Sequence, residues 1–333
     1  MVLETVGDIG ELELLRRLQP FCQGIGDDGA VLPRPEASLV VTTDVLVEGV
    51  HFSDRTTAPE DVGWRAVAAN LSDLAAMGAV PLGITVGLAL PGTVAVAWVE
   101  AVYRGMLACL GDYGGDILGG DVVRSSQVSL AITALGQGDP ARMLYRDRAQ
   151  PGQVIVATGA HGASRAGLEL LLQPESGVGL VSGMRDRFIR SHQRPRPRFD
   201  AVAALHHCFP SGKGTALPVA AMDSSDGLAN AVLHLCQASG VGARLVRSHL
   251  PFPPGLLSWV GPETALDWTL YGGEDFELVL ALPPEIALAL TQSLGPEAAI
   301  IGTVEAGEGV ILLEQAEDGD GQPLPWENSF RHF

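Results

Sequence analysis

Residues 82–90 read LGITVGLAL, a strict alternation with a period of two. In a strand that period places Leu82, Ile84, Val86, Leu88 and Leu90 on one face and Gly83, Thr85, Gly87 and Ala89 on the other. The large face belongs in a core, and the small face lets another layer approach. QVSLAITALG, residues 127–136, repeats the pattern with Val128, Leu130 and Ile132.

Helical periodicity alternates with these strands. Between Pro59 and Gly78, Trp64, Val67, Ala68, Leu71 and Ala75 form an apolar stripe, and Gly78 followed by Pro81 gives the stop signal. A second helix is expected over about 94–110, with Trp98, Val99, Val102, Met106, Cys109 and Leu110 inward. Around residue 150 the character resets: YRDRAQPGQ is charged and turn-rich, and a new apolar strand, QVIVATG, follows it. A domain boundary belongs there, dividing the chain into 1–148 and 149–333, and 333 residues suit two domains. The second half mixes SRAGLELLL, DGLANAVLHLC and FELVLALP, so the fold class is α/β (α+β). RSHQRPRPR, residues 190–198, reads as a surface connector rather than a phosphate site, and the acidic, glycine-rich stretch 314–325 as a loop.

Hydrophobic residues at 47% and charged residues at 18% afford a sizeable core and exclude global disorder. A formal charge of −18 argues against nucleic-acid and anionic-membrane partners. Cys22, Cys109, Cys208 and Cys236 lack zinc-site spacing, and Cys109 and Cys236 fall at apolar helical positions. The N-terminal MVLETVGDIGELELLRRL carries no signal-peptide pattern, and no uninterrupted apolar run is long enough for a membrane span. A reducing cytoplasm fits these features.

The carboxylates carry the chemistry. GIGDDGAVL (24–32) sets Asp27 and Asp28 between glycines, alone an ordinary turn. VVTTDVLVEGVHF (40–52) runs an apolar strand into Thr42, Thr43 and Asp44 and ends at His51. ANLSDLAAMGA (69–79) places Asp73 opposite the Leu71 stripe, with Asn70 one turn earlier. ILGGDVVRSS (117–126) ends a strand in Gly119, Gly120 and Asp121, and AAMDSSDGLAN (220–230) passes through Asp223, Ser225 and Asp226 into a helix that Ser225 or Asp226 could simply cap. Two unit charges about 4 Å apart repel by roughly 4 kcal/mol at an effective dielectric near 20, so such carboxylates cannot cluster uncompensated. Oxygen-only ligands select magnesium or calcium over zinc; the EF-hand spacing is absent, and magnesium shared with substrate phosphates fits better. Neither a Walker A loop nor the protein-kinase landmarks occur, and FPSGKGT (209–215) lacks the first glycine at the required spacing. An anionic nucleotide therefore meets this chain through metals, which suits phosphoryl transfer.

GIGDDGAVL, TTDVLVEGVHF, NLSDLAAMGAVP, GGD, DSSDGL and YGGEDFEL occur in the order found in the thiamine-monophosphate kinases of the aminoimidazole-ribonucleotide-synthetase-like superfamily, which the chain resembles from about residue 6 to its end. The resemblance implies ATP-dependent phosphorylation of thiamine monophosphate to thiamine diphosphate, by direct in-line transfer with several magnesium ions. It implies metal ligands at Asp28, Thr42, Thr43, Asp44, Asp73, Asp121, Asp223 and Asp226, with the oxygen used by each threonine left open. It implies ATP contacts at Tyr103, Gly120, Asp121, Arg146 and Ser225, and Tyr103 is expected off the apolar stripe of its helix. Substrate contacts would be His51, Glu274, whose carboxylate suits a cationic thiazolium, and Phe330, which would stack on a thiamine ring. The implied architecture is a homodimer whose N-terminal mixed-sheet domains form a β-barrel-like interface, with a C-terminal α/β domain over the site. Any monovalent-cation requirement is left open. Val122, Ser224, Phe276 and Ser329 depart from the residues usual in the family, and none of them is a proposed ligand. Two rival readings stand beside this one: a non-catalytic protein that binds magnesium, nucleotide or thiamine diphosphate, and a sibling ATP-dependent synthetase of the same superfamily.

Overall fold

The computed structural model describes residues 4–22, 37–209, 216–316 and 321–325. The chain divides into two compact units, one of Met1–Leu74 and Ala79–Gly138, the other of Ala75–Gly78 and Asp139–Phe333.

The first unit runs α1 (Val6–Leu18), β1 (Ser38–Val47), α2 (Pro59–Ala76, its last two residues counted with the second unit), β2 (Val80–Leu90), α3 (Val96–Tyr113), β3 (Asp116–Arg124) and β4 (Ser129–Gly138). A capping box starts α1, with Thr5 Oγ1 accepting from the Asp8 amide and Asp8 accepting from the Thr5 amide at 2.9 Å. The strands form one sheet in the order β1-β4-β2-β3, with β2 and β3 parallel and the other pairs antiparallel. Ile84, Val86, Leu88 and Leu90 are buried as the alternation requires, each worth about 2 kcal/mol of apolar burial. The pattern breaks at Leu82, because a register shift between Pro81 and Gly83 leaves Leu82 half-buried and Gly83 buried. Helices α2 and α3 touch backbone to backbone: a Cβ on Gly63 would lie 1.9 Å from the Val102 carbonyl oxygen.

The opposite face of this sheet is apolar and open. Leu39, Val41 and Val45 on β1 and Val123 on β3 are about half exposed. No further strand pairs with the outer edges of β1 and β3 among the described residues, so a single chain forms an open sheet rather than a closed barrel.

The second unit contains β5 (Val154–Ala157), α4 (Ala163–Leu172), α5 (Ser182–Gln193), α6 (Phe199–Cys208), β6 (Ala220–Asp223), α7 (Leu228–Ser239), β7 (Gly242–Val246), α8 (Leu256–Val260), α9 (Pro262–Tyr271), β8 (Leu278–Leu282), α10 (Pro284–Leu294), β9 (Ala299–Glu305), β10 (Val310–Leu313) and β11 (Gln322–Pro323). Its sheet has the order β11-β10-β7-β9-β5-β8-β6. One core cluster gathers Leu228, Val232 and Leu235 of α7, and another Val202 and Leu205 of α6 with Leu290 of α10. A third joins Phe188, Trp259 and Trp268, where the Phe188 and Trp259 rings stack at 5.9 Å.

Two local expectations are corrected here. The basic stretch 190–198 is no plain surface connector, because His192 is buried and Arg198 pairs with the partly buried Glu277 as well as with Asp200. The acidic tail is not all loop: Gln322–Pro323 adds to the edge of the sheet and Leu324 enters the core.

Candidate active site

In the first unit the site residues stand on regular structure. The period of β1 turns Thr42 and Asp44 toward α2 and sends Thr43 to the other face. Thr42 Oγ1 donates to Asp73 Oδ2 at 2.5 Å. The Asp44 amide donates to Asn70 Oδ1 at 3.1 Å, and Asn70 is itself anchored through Nδ2 to the Ala66 carbonyl at 3.0 Å. Asn70, fully buried, thus fixes the strand's Asp44 against α2. Thr43 instead meets Thr133 across the strand pair, hydroxyl to hydroxyl at 2.9 Å. Its hydroxyl is turned from the Thr42–Asp73 pair. After β1, a turn with Gly49 in the left-handed region brings His51 back, so that its Nδ1 accepts from the Val47 amide at 3.0 Å. With Nδ1 accepting, the neutral ring carries its proton on Nε2.

Gly120 and Asp121 lie elsewhere. Sheet register places Asp121, Gly87, Ala131 and Val45 in one row across β3, β2, β4 and β1. Three strand spacings of about 4.8 Å separate Asp121 from Val45 and its neighbour Asp44 by about 14 Å of backbone. A Cβ on Gly120 would fall 2.0 Å from the Val86 carbonyl oxygen, so only glycine fits.

Tyr103 corrects the expectation set for it. It is 3% exposed, its ring lies 5.8 Å from that of Phe21, and burial raises its hydroxyl pKa. The helix buries Tyr103 along with Ala101, Gly105 and the residues of the single stripe, so the tyrosine is packed rather than exposed.

In the second unit two loops interlock. β6 ends in Asp223 and is followed by Ser224, both buried, then Ser225, Asp226 and Gly227. Gly227 is the N-cap of α7 and no side chain caps the helix, so capping does not account for Ser225 and Asp226. The facing loop is Gly272–Glu277. Its Glu274 amide donates to the Ser225 carbonyl at 2.7 Å, and the Ser224 amide donates to the Glu277 carbonyl at 2.9 Å. Gly273, Glu274 and Phe276 all have positive φ (67°, 57° and 52°). Left-handed backbone costs a non-glycine residue about 1–2 kcal/mol, and such strain collects at functional sites. Behind the loops, the buried His161 ring meets Ser224 Oγ at 3.0 Å and the Gly159 carbonyl at 3.0 Å. Burial pushes its pKa down to about 4. Asp275 is lifted to about 7 by burial, against the pull of bonds from the Gly162 and Ser164 amides.

Arg146 is exposed on a one-turn helix, Arg146–Arg148, strapped to α7 where Ser239 Oγ donates to the Arg146 carbonyl at 3.0 Å. His234 of α7 lies in the field of both Arg146 and Asp226; burial lowers its pKa, Arg146 lowers it further and Asp226 opposes. A lone histidine in DGLANAVLHLC gave no sequence signal for that position. Asn70, His161, Ser164, His192 and Asp275 were likewise not singled out as site residues, since their roles depend on partners up to 113 residues away.

Asp28 and Phe330 lie outside the described residues. Among the described residues no group of three or more His, Cys, Asp or Glu side chains is arranged to hold a metal. The donors that do assemble, Thr42 with Asp73 beside Asp44, are all oxygen, the set that suits magnesium completed by water and phosphate. No described helix is long and apolar enough to cross a membrane.

The AIR synthase related protein N-terminal domain profile matches residues 26–137, and the corresponding C-terminal domain profile matches residues 150–314. The thiamine-monophosphate kinase of Synechococcus elongatus is 46% identical over 332 residues, covering 99% of this chain and 98% of that protein. The crystal structure of thiamine-monophosphate kinase from Stenotrophomonas maltophilia superposes with a TM-score of 0.78 at 33% identity, covering 92% of this chain and 98% of that one. AaThiL, solved in complex with AMPPCP and TMP, superposes at 0.72 with 32% identity over 96% of this chain and 97% of its own. The chain belongs to the AIR synthase related family and, within it, to the thiamine-monophosphate kinases.

Proposed function

We propose that the chain transfers the terminal phosphoryl group of ATP to thiamine monophosphate, yielding thiamine diphosphate and ADP. The observation that carries this reading is the ledge of Thr42, Asp44 and Asp73, an all-oxygen donor set between the middle of β1 and α2 in a chain 46% identical to a thiamine-monophosphate kinase. A phosphate oxygen of thiamine monophosphate attacks the γ-phosphorus as the bond to the ADP oxygen opposite it breaks. The attacking oxygen is already anionic, so no side chain need remove a proton. Magnesium ions would be held by Asp28, Thr42, Thr43, Asp44, Asp73, Asp121, Asp223 and Asp226, and when bound would neutralise phosphate charge. Gly120 gives the nucleotide close backbone approach, Arg146 supplies positive charge to the phosphates, and Ser225 a hydroxyl. His51, Glu274 and Phe330 form the thiamine side. ATP, magnesium and four free cysteines are consistent with work in a reducing cytoplasm.

The open apolar face of the β1-β4-β2-β3 sheet supports a homodimer. Asp44 and Asp121 stand on opposite edge strands of that sheet, and a second copy joining its β3 edge to the β1 edge would bring them together. Mixing inactive Asp44→Ala and Asp121→Ala chains tests this, because a shared site restores part of the activity in the mixed dimer. For the reaction itself, the test is product analysis with ATP, magnesium and thiamine monophosphate beside an Asp44→Ala control. Thiamine diphosphate formed by the unmutated chain alone supports the reading. Nucleotide binding without product would favour a non-catalytic binding protein, or a sibling synthetase with another acceptor.

A further inference from the structure

Glu274 sits at a point where the chain spends conformational energy. Its own φ of 57° and that of Phe276, 52°, flank Asp275. This geometry turns Asp275 toward the first turn of α4, where it accepts from the Gly162 amide at 2.6 Å and the Ser164 amide at 2.9 Å. Glu274 keeps a side chain 32% exposed. The first turn of α4 is thereby tied to the loop through Asp275.

The same turn reaches Glu274 by a second route. Ser164, 1% exposed, shares a hydrogen bond with His192 Nδ1 at 3.2 Å, Oγ to nitrogen. That nitrogen lies 3.7 Å from Glu274 Oε2, close enough for electrostatic attraction and long for a hydrogen bond. His192 reaches this place because α4 and α5 pack without clearance. A Cβ on Gly167 would be 2.0 Å from the Phe188 carbonyl oxygen and 2.9 Å from the His192 Cβ. Glu274, Asp275, Ser164 and His192 thus form a closed circuit of covalent and polar links, in which Ser164 and His192 are buried and Glu274 stays partly exposed.

We propose that His192, anchored by Ser164, is a positioning residue that aims the Glu274 carboxylate at the cationic ring of the substrate. This rests on the reading of Glu274 as a thiamine contact. The imidazole is a fitting group for the task. It orients the carboxylate from behind without covering it, as a lysine would by reaching past it into the site. A carboxylate on a long side chain otherwise samples several rotamers, and fixing it lowers the cost of binding the cation.

Steady-state kinetics of the full chain, with ATP and thiamine monophosphate varied separately, test the proposal. His192→Leu should raise the KM for thiamine monophosphate about tenfold, while kcat and the KM for ATP move by less than about twofold. His192→Asn, whose amide nitrogen occupies the place of Nδ1, should bring that KM back to within about threefold of the unmutated value. Ser164→Ala should raise it about threefold and decides the matter if His192→Leu does not fold. In a Glu274→Gln background His192→Leu should add nothing, since it acts through that carboxylate. Equal rises in both KM values, failure of His192→Asn to rescue, or an undiminished effect in the Glu274→Gln background would overturn the proposal and leave the proposed reaction standing. Absence of thiamine diphosphate from the unmutated chain would overturn both.

Discussion

The two units hold their candidate site residues by opposite means. In the first unit Thr42, Asp44 and Asp73 stand on a strand and a helix, and one buried amide, Asn70, sets their spacing. In the second unit Ser225, Asp226 and Glu274 stand on two loops that hold each other, with two non-glycine residues in left-handed backbone and a polar layer of the buried His161 and the partly buried Asp275 and Glu277 behind them. Regular structure fixes charge where several carboxylates must converge at low conformational cost. Strained loops can point adjacent side chains in opposite directions, which a strand can do only by strict alternation and a helix not at all. In the proposed reaction this becomes a division of labour, with the rigid half holding phosphates through metals and the strained half shaping recognition.

The largest effect should come from the rigid half. Asp44→Ala should lower kcat about 10³-fold, because a charge that compensates magnesium is gone. The bond to Asn70 is made by the backbone amide, which the variant keeps, so the strand should stay anchored to α2 and the chain should still fold cooperatively. Turnover and urea denaturation of the same preparation check both halves of that statement. A large loss of stability would mean that the ledge, too, depends on strain and side-chain contacts.

Next in size is the polar layer of the second unit. The folded pKa of His161, about 4, lies below the ordinary 6.5, so the folded state keeps the ring neutral while the unfolded chain takes up a proton. The contribution is complete above pH 6.5 and is lost as pH falls toward 4, by about 3 kcal/mol in total. Asp275 has the opposite sign: raised to about 7, it stabilises fully below its ordinary 3.8 and its contribution is lost as pH rises through 7. Comparing urea denaturation of unmutated and His161→Gln chains at pH 7.5 and 4.5 isolates the histidine, and the variant should show the smaller acid penalty.

What the sequence made legible follows the same division. The alternation of LGITVGLAL gives β2, and the stripe from Trp64 to Ala75 gives α2, whose observed bounds are Pro59–Ala76. Both are local periodicities, and both set the rigid half. Tyr103 was misread because α3 is buried on more than one side, and no one-stripe pattern separates a fully packed helix from a surface one. The interlocked loops were legible only as motifs. The GG of YGGEDFEL announces close approach, yet nothing local says that Asp275 will cap a helix more than 100 residues earlier or that His192 will stand behind Glu274.

A smaller effect sharpens the geometry of the ledge. Thr42→Val removes the hydroxyl that donates to Asp73 and should lower kcat/KM about tenfold. Thr43→Val removes a hydroxyl that faces Thr133 on the open side of the sheet and keeps the carbonyl, so activity should stay within about twofold. If both variants lose activity equally, the face assignment of the strand is wrong for the working enzyme.

The smallest expected change bears most directly on the comparison, because its sign is unusual. Glu274→Gly replaces a left-handed glutamate by the residue that adopts φ near 57° without steric cost. The relief is offset by the greater freedom of glycine in the unfolded chain, so stability should rise by up to about 1 kcal/mol, visible as a higher urea midpoint. The same variant lacks the carboxylate and should bind thiamine monophosphate more weakly. Gain of stability with loss of recognition is the signature of strain held for function. No counterpart exists at Thr42, Asp44 or Asp73, where no positive φ is present to relieve. A destabilised Glu274→Gly chain would instead mean that the contact with His192 outweighs the backbone cost, and that the loop is held by its side chains rather than strained in spite of them.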